Sequence, residues 1–373
     1  MNRLRIYRKI AGIVAFVAFI GVLSVLFSTS PTRAQELAPT NTPAISTAAP
    51  LSSVPANWGL NGVTHIYQSW NNCGPATLTM ALTYYGIQAD QNPAATWLKP
   101  NYEDKNVTPW EMVEYVNTQV PGTLQALVRH GGTIEQLKLL IANNFPVVVE
   151  AGYDPPNDPQ GWMGHYLFVS GYDDAQGVFV TQDSFEGANY PYEYAYFDEF
   201  WRHFNRLYIV VYDVRREAEL MALLGDNADE QQNYQNALAA ARAEAIANRE
   251  DPFAWFNMGT NFVYLGMYAE AAVAYDQARN VGGGLPWRMA WYQFGWYQAY
   301  LETGRYNDVI ALAQATLNDG GGQYVEETYY YAALAREAMG ERDRAIDNLN
   351  FVVDFNPNFV EARELRDQLQ AGT

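Results

Sequence analysis

Three glycines recur through the last third of the chain in one setting: LGMYAEAAVAY at Gly266, TGRYNDVIALA at Gly304 and MGERDRAIDNL at Gly340, spaced 38 and 36 residues apart. Each stands between two helix-length segments that carry Ala, Tyr and Leu at helical spacing. A fixed period of this size means one supersecondary unit stacked on its neighbours, because a lone helical hairpin cannot bury its apolar face. Strand-like alternation ends near residue 215. Residues 215–373 are therefore expected to be all-α, about three units with flanking helices over 232–248 and 361–370.

The first unit resembles a tetratricopeptide repeat. Trp255, Met258, Gly259, Phe262, Gly266, Tyr268, Ala271, Tyr275 and Ala278 fall on its consensus positions, and Pro357 ends the third unit where that repeat places its proline. The resemblance implies a solenoid that docks a protein partner or substrate. Tyrosines such as Tyr329, Tyr330 and Tyr331 are expected to pack between its helices.

At the other end, a basic flank (MNRLRIYRK) precedes an apolar run over 10–27 and a small-residue exit at Thr32-Arg33-Ala34. Residues 1–34 thus read as a secretory signal peptide, with an uncleaved membrane anchor as the alternative, since the run just reaches spanning length. Either way the remainder is expected outside the cytoplasmic membrane. Residues 35–57, rich in Pro, Ser, Thr and Ala, read as an extended linker. The whole chain carries 23 basic and 41 acidic side chains, a net charge of −18. Five of the basic residues and no acid precede residue 35. So acidic a surface repels phosphate backbones and argues against a nucleic-acid partner.

Residues 58–214 have a mixed texture. Helices are expected over 75–85, 109–117 and 133–143, the last two capped by Thr108 and Thr133. Strands are expected over 146–151, 166–172, 178–182 and 207–211, with a hairpin turn at Asp173, Asp174 and Gly177. The layout is α+β: helices first, an antiparallel sheet after. Within it lies the single cysteine of the chain, Cys73. One cysteine makes neither a disulfide nor a multi-cysteine zinc site, and exported proteins tend to avoid a spare thiol. In YQSWNNCGPATL, Pro75 is suited to a first helical turn, which sets Cys73 at a helix N-terminus that favours a thiolate. Gly74 lets a substrate carbonyl approach the backbone. The Gln68 amide is placed to donate to an oxyanion beside the Cys73 N–H. The hairpin brings His165, at the start of one strand, to the same sheet end as Asp183, at the end of the next. A nucleophile, a base and an orienter of the base follow in that order.

The CGPA helix with its preceding glutamine, the GHY strand and the D-S strand resemble the bacteriocin-processing-type papain-like cysteine peptidases and their stand-alone relatives, over roughly 58–212. That resemblance implies Cys73 as nucleophile, His165 as general base and acid, Asp183 as its orienter and Gln68 as oxyanion donor. It implies no metal and no cofactor. Transporter members continue into a membrane domain and an ATPase; this sequence carries no phosphate-binding loop, so a leader-peptide substrate does not carry over. Trp70, Gly74, Trp162 and Gly164 are expected to line the substrate cleft.

The bland readings stand beside these. Cys73 also reads as a small buried hydrophobe, and His165 as a core histidine. His65, His130 and His203 have no metal-ligand spacing and read as surface or packing residues. The acid-rich loop from Asp154 to Asp158 reads as a lid before His165. The leading function is hydrolysis of peptide bonds of a peptide or protein substrate. A non-catalytic peptide-binding module, an acyl transferase on the same scaffold and a repeat-based assembly scaffold are its alternatives.

Overall fold

The computed structural model describes residues 54–155 and 161–372. The signal or anchor, most of the linker and residues 156–158 of the expected lid lie outside the described residues.

The first half holds β1 (Asn57–Gly59), α1 (Cys73–Thr83), α2 (Asn92–Leu98), α3 (Pro109–Gln119), β2 (Leu124–Arg129), α4 (Ile134–Ala142), β3 (Val147–Tyr153), β4 (Met163–Asp173), β5 (Val178–Asp183), β6 (Gly187–Glu193), α5 (Tyr194–Trp201) and β7 (Tyr208–Asp213). The seven strands form one antiparallel sheet in the order β2-β7-β3-β4-β5-β6, with β1 on the far end of β4. Buried Val147, Val148, Val149, Phe168 and Val169 form its centre, and Leu78, Met80 and Leu82 of α1 join the same core. Both expected caps are present: Thr108 and Glu111 form a reciprocal capping box, and the Thr133 side chain accepts from the Gln136 N–H.

Three strands depart from the expected layout. β2 lies between helices and pairs with β7, β6 closes the edge beyond β5, and β1 falls at the expected linker boundary. Pro55 and Ala56 are tied to the sheet as well, their carbonyls accepting from the Tyr172 hydroxyl (2.9 Å) and the Asp174 N–H (2.8 Å).

The second half is all-helical: α6 (Glu217–Leu224), α7 (Glu230–Ala247), α8 (Pro252–Tyr264), α9 (Tyr268–Asn280), α10 (Gly295–Glu302), α11 (Tyr306–Asn318), α12 (Glu326–Ala338), α13 (Arg342–Phe355) and α14 (Val360–Ala371). The recurring glycines join α8 to α9, α10 to α11 and α12 to α13. Each has a φ between +73° and +79°, which explains their recurrence: an L side chain there is strained.

The first helices of the pairs face the sheet domain. Asn257 of α8 donates to the Arg202 carbonyl (2.8 Å), and Gln293 before α10 donates to that of His203 (3.0 Å). Asn106 donates to Glu327 of α12 (3.2 Å), and Asn358 before α14 to the Trp97 carbonyl (2.8 Å). Trp162 and Phe204 of the sheet domain are built into the helical core. The inward side of the array is thus occupied by this chain's own first domain.

Candidate active site

Cys73 opens α1 and is half-buried. Asn72, at the cap position, makes no side-chain bond to the helix; its amide donates instead to Gln91 Oε1 (3.0 Å). No cap side chain therefore covers the first turn, and the positive end of α1 is directed at the thiol. Gln91 holds the rest of the loop too. It accepts from the Ser69 N–H (2.9 Å) and donates to the Tyr67 carbonyl (2.8 Å), while Asn71 adopts φ 53°, a conformation asparagine tolerates.

β4 carries His165, opposite Ala151 of β3, and β5 ends on Asp183. The His165 Nε2 and Asp183 Oδ1 are 2.9 Å apart. Asp183 is fully buried. Its Oδ1 also accepts from the N–H groups of Phe185 (2.8 Å) and Glu186 (3.1 Å), and its Oδ2 from the Tyr192 hydroxyl (2.7 Å). A carboxylate so enclosed is held as an anion: burial pushes its pKa up, but His165, Tyr192 and Phe185 together carry it well below the usual range.

The electrostatics favour an ion pair. Burial raises the Cys73 thiol, yet the hydrogen bond and charge of His165, with the N–H groups of Tyr166 and Gly74, outweigh it and bring the thiol below its ordinary value. Burial likewise opposes the charge on His165, and Asp183 and Cys73 overcome it, raising the imidazole to about 10. A thiolate beside an imidazolium is the arrangement of an activated sulfur nucleophile.

The Gln68 backbone N–H donates to the Ser184 carbonyl (2.9 Å), and the Ser184 hydroxyl donates to Gln68 Oε1 (2.8 Å). With that oxygen fixed, the donor end of the amide is oriented away from Ser184. Trp70 is exposed beside the loop, the Lys105 ammonium 5.3 Å from its ring centroid. A Cβ on Gly74 would lie 3.3 Å from Val107 Cβ, a tight approach that favours glycine here.

One cleft expectation needs correction. Trp162 is buried, stacked on Phe204 at 5.9 Å and donating to His203 Nδ1 (3.1 Å), because the helical domain covers it. A Cβ on Gly164 would meet Phe204 and Tyr292 at 2.9 Å, so this glycine serves the junction of the domains. Trp162 thus lies under the helices, not on an open wall, while Gly164 stays partly exposed beside His165. His203 packs flat on Phe253 at 3.7 Å.

Tyr192, Gln91, Glu150 and Tyr292 also bear on the site, and none is among the residues expected from sequence. Glu150 carried a signal: one acid inside the apolar run PVVVEAGY. Tyr192 lies in an unforeseen strand, and Tyr292 reaches Gly164 from the other domain, a contact no local pattern announces. Among the described residues no group of three or more His, Cys, Asp or Glu is placed to hold a metal ion.

Residues 60–209 match the model of the Peptidase_C39 like family, which supports a peptidase-like sheet domain. No curated protein matches the chain. Among solved structures, the MamA RS-1 ArsTM double mutant is 16% identical with a TM-score of 0.34, covering 42% of this chain and 84% of that one. A crystal structure of MamA is 17% identical with a TM-score of 0.32, covering 38% and 85%. Scores this low carry nothing further to this chain.

Proposed function

We propose that the sheet domain is a cysteine peptidase, and the observation that carries this is the buried chain from Asp183 through His165 to a thiol held below its ordinary pKa. The Cys73 thiolate attacks the scissile carbonyl carbon, and the carbonyl π electrons move to oxygen. Gln68 and the Cys73 N–H at the start of α1 face that oxyanion. The intermediate collapses, the C–N bond breaks and the His165 imidazolium gives its proton to the leaving amine. The now neutral His165 takes a proton from water, which attacks the thioester. The C–S bond then breaks, the acid product leaves and the thiolate returns. Asp183 keeps His165 in orientation and offsets its charge throughout. Incubating the full chain with a peptide library tests this: new termini should appear with wild type and be absent with Cys73→Ala. Equal product from both would contradict it.

We further infer that the helix pairs are tetratricopeptide repeats. Their first helices cover the peptidase domain, so docking of a separate protein falls to their outward side. Residues 1–34 direct the protein out of the cytoplasm, as signal or anchor.

A further inference from the structure

The two edges of β4 are not equally covered. β3 pairs with it from Met163 to Val169, whereas β5 reaches it only as far as Phe168. Among the described residues no strand therefore borders the other edge at 163–167, the stretch that carries His165. A strand end left open frays, because its outward N–H and C=O groups turn to water. Those groups point the same way at every second residue, so Gly164 and Tyr166 share one edge. α1 covers that edge at Tyr166: the Thr77 hydroxyl donates to the Tyr166 carbonyl (3.1 Å), and the Tyr166 N–H is turned to the Cys73 thiol.

At Gly164 the cover comes from the other domain. Tyr292 follows a helical turn at 287–291, ahead of α10. Its ring lies against Gly164, where a Cβ would meet Tyr292 Cδ1 at 2.9 Å and Cε1 at 3.0 Å. Burial and the charge of Cys73 push the Tyr292 hydroxyl above its ordinary pKa, and the Gly164 N–H bonded to its oxygen counters them. Two residues of strand, about 7 Å, separate this bond from the one Tyr166 makes to the thiol. Arg288 of the same turn donates to the Trp162 carbonyl (3.1 Å), and Trp162 packs edge-on to Tyr292 (6.0 Å). His165 is thus flanked along its strand by a tie to α1 on one side and by ties to Arg288 and Tyr292 on the other. A histidine serves a thiol only within hydrogen-bond reach, and an ångström of misplacement costs about 10²-fold.

We propose that Tyr292 is a positioning residue of the peptidase: with Arg288 it fixes the open end of β4, and through it His165, against Cys73, so that the helical array completes the catalytic centre. The role rests on the peptidase reading above and acts through Gly164, not on the reacting atoms. Its test uses the full chain carrying Tyr292→Phe, which keeps the ring and removes the hydroxyl. Arg288→Met removes a second, separate tie should the first variant misfold. Both are compared with wild type and His165→Ala in the rate of iodoacetamide alkylation of Cys73 from about pH 5 to about pH 10. A loosened His165 lowers the thiol less, so the acid limb should move upward. Each variant should react about tenfold more slowly than wild type at about pH 6, and at the same rate above about pH 9.5, where the thiol ionises unaided. Peptide cleavage should lose about tenfold in kcat with KM little changed. Wild-type alkylation profiles in both variants overturn the proposal and leave the peptidase reading standing. Faster alkylation at every pH, the mark of lost packing alone, also overturns it. So does a change confined to KM, which makes Tyr292 a substrate contact. If wild type itself reacts as slowly as His165→Ala, the peptidase reading fails and the positioning role with it.

Discussion

Between the lowered thiol of Cys73 and the imidazole at about 10, the pair exists as thiolate and imidazolium, the form that attacks and then protonates. The rate should therefore be bell-shaped in pH: an acid limb where Cys73 gains a proton, an alkaline limb near 10 where the imidazolium loses one. Asp183→Asn removes the anion that raises His165. It should move the alkaline limb downward and lower kcat/KM by about 10²-fold or more, measured as initial rates across pH. An unmoved alkaline limb would show that His165 is not the titrating acid. Gln68→Ala should reduce kcat by about 10²-fold with KM little changed, if its amide meets the oxyanion. A loss confined to KM would place Gln68 in substrate binding.

At the scale of elements, the linking glycines are tested by Gly304→Ala. Space is open around it, so the cost is conformational: φ +73° should destabilise by about 1–2 kcal/mol, read from denaturant unfolding. Gly295→Ala should cost more, since its Cβ would collide with the hydroxyl of the fully buried Tyr275. A ranking with Gly295→Ala the milder would contradict the packing described. Gly266, Gly304 and Gly340 were legible because a left-handed backbone conformation leaves a local mark in sequence. The α4 and β3–β5 elements were legible for the same reason, through Thr133 and the hydrophobic run 146–151. The relation of His165 to Asp183 was legible because one hairpin joins them. β6 was not: Gly187–Glu193 is exposed along most of its length at a sheet edge, so no alternating apolar face marks it in sequence. Tyr292 and the cover over Trp162 depend on how the two domains dock, which no window of sequence encodes.

For the whole molecule, the acids buried at the domain junction set the response of stability to pH. Their folded pKa values are raised, so their contribution is fully present below the ordinary carboxylate value and is lost as pH rises through the raised one. Glu327→Gln cannot ionise. Its melting temperature relative to wild type should therefore increase from about pH 5 to about pH 8, and a constant difference would contradict the burial of that charge. The central claim remains that Cys73 is an activated nucleophile, and its most direct test is the rate of iodoacetamide alkylation at about pH 6, where an ordinary thiol is protonated. Wild type should react rapidly at Cys73, the sole cysteine of the chain, and His165→Ala about 10²-fold more slowly. If both proteins react slowly and at the same rate, His165 does not activate the thiol and the catalytic account is contradicted.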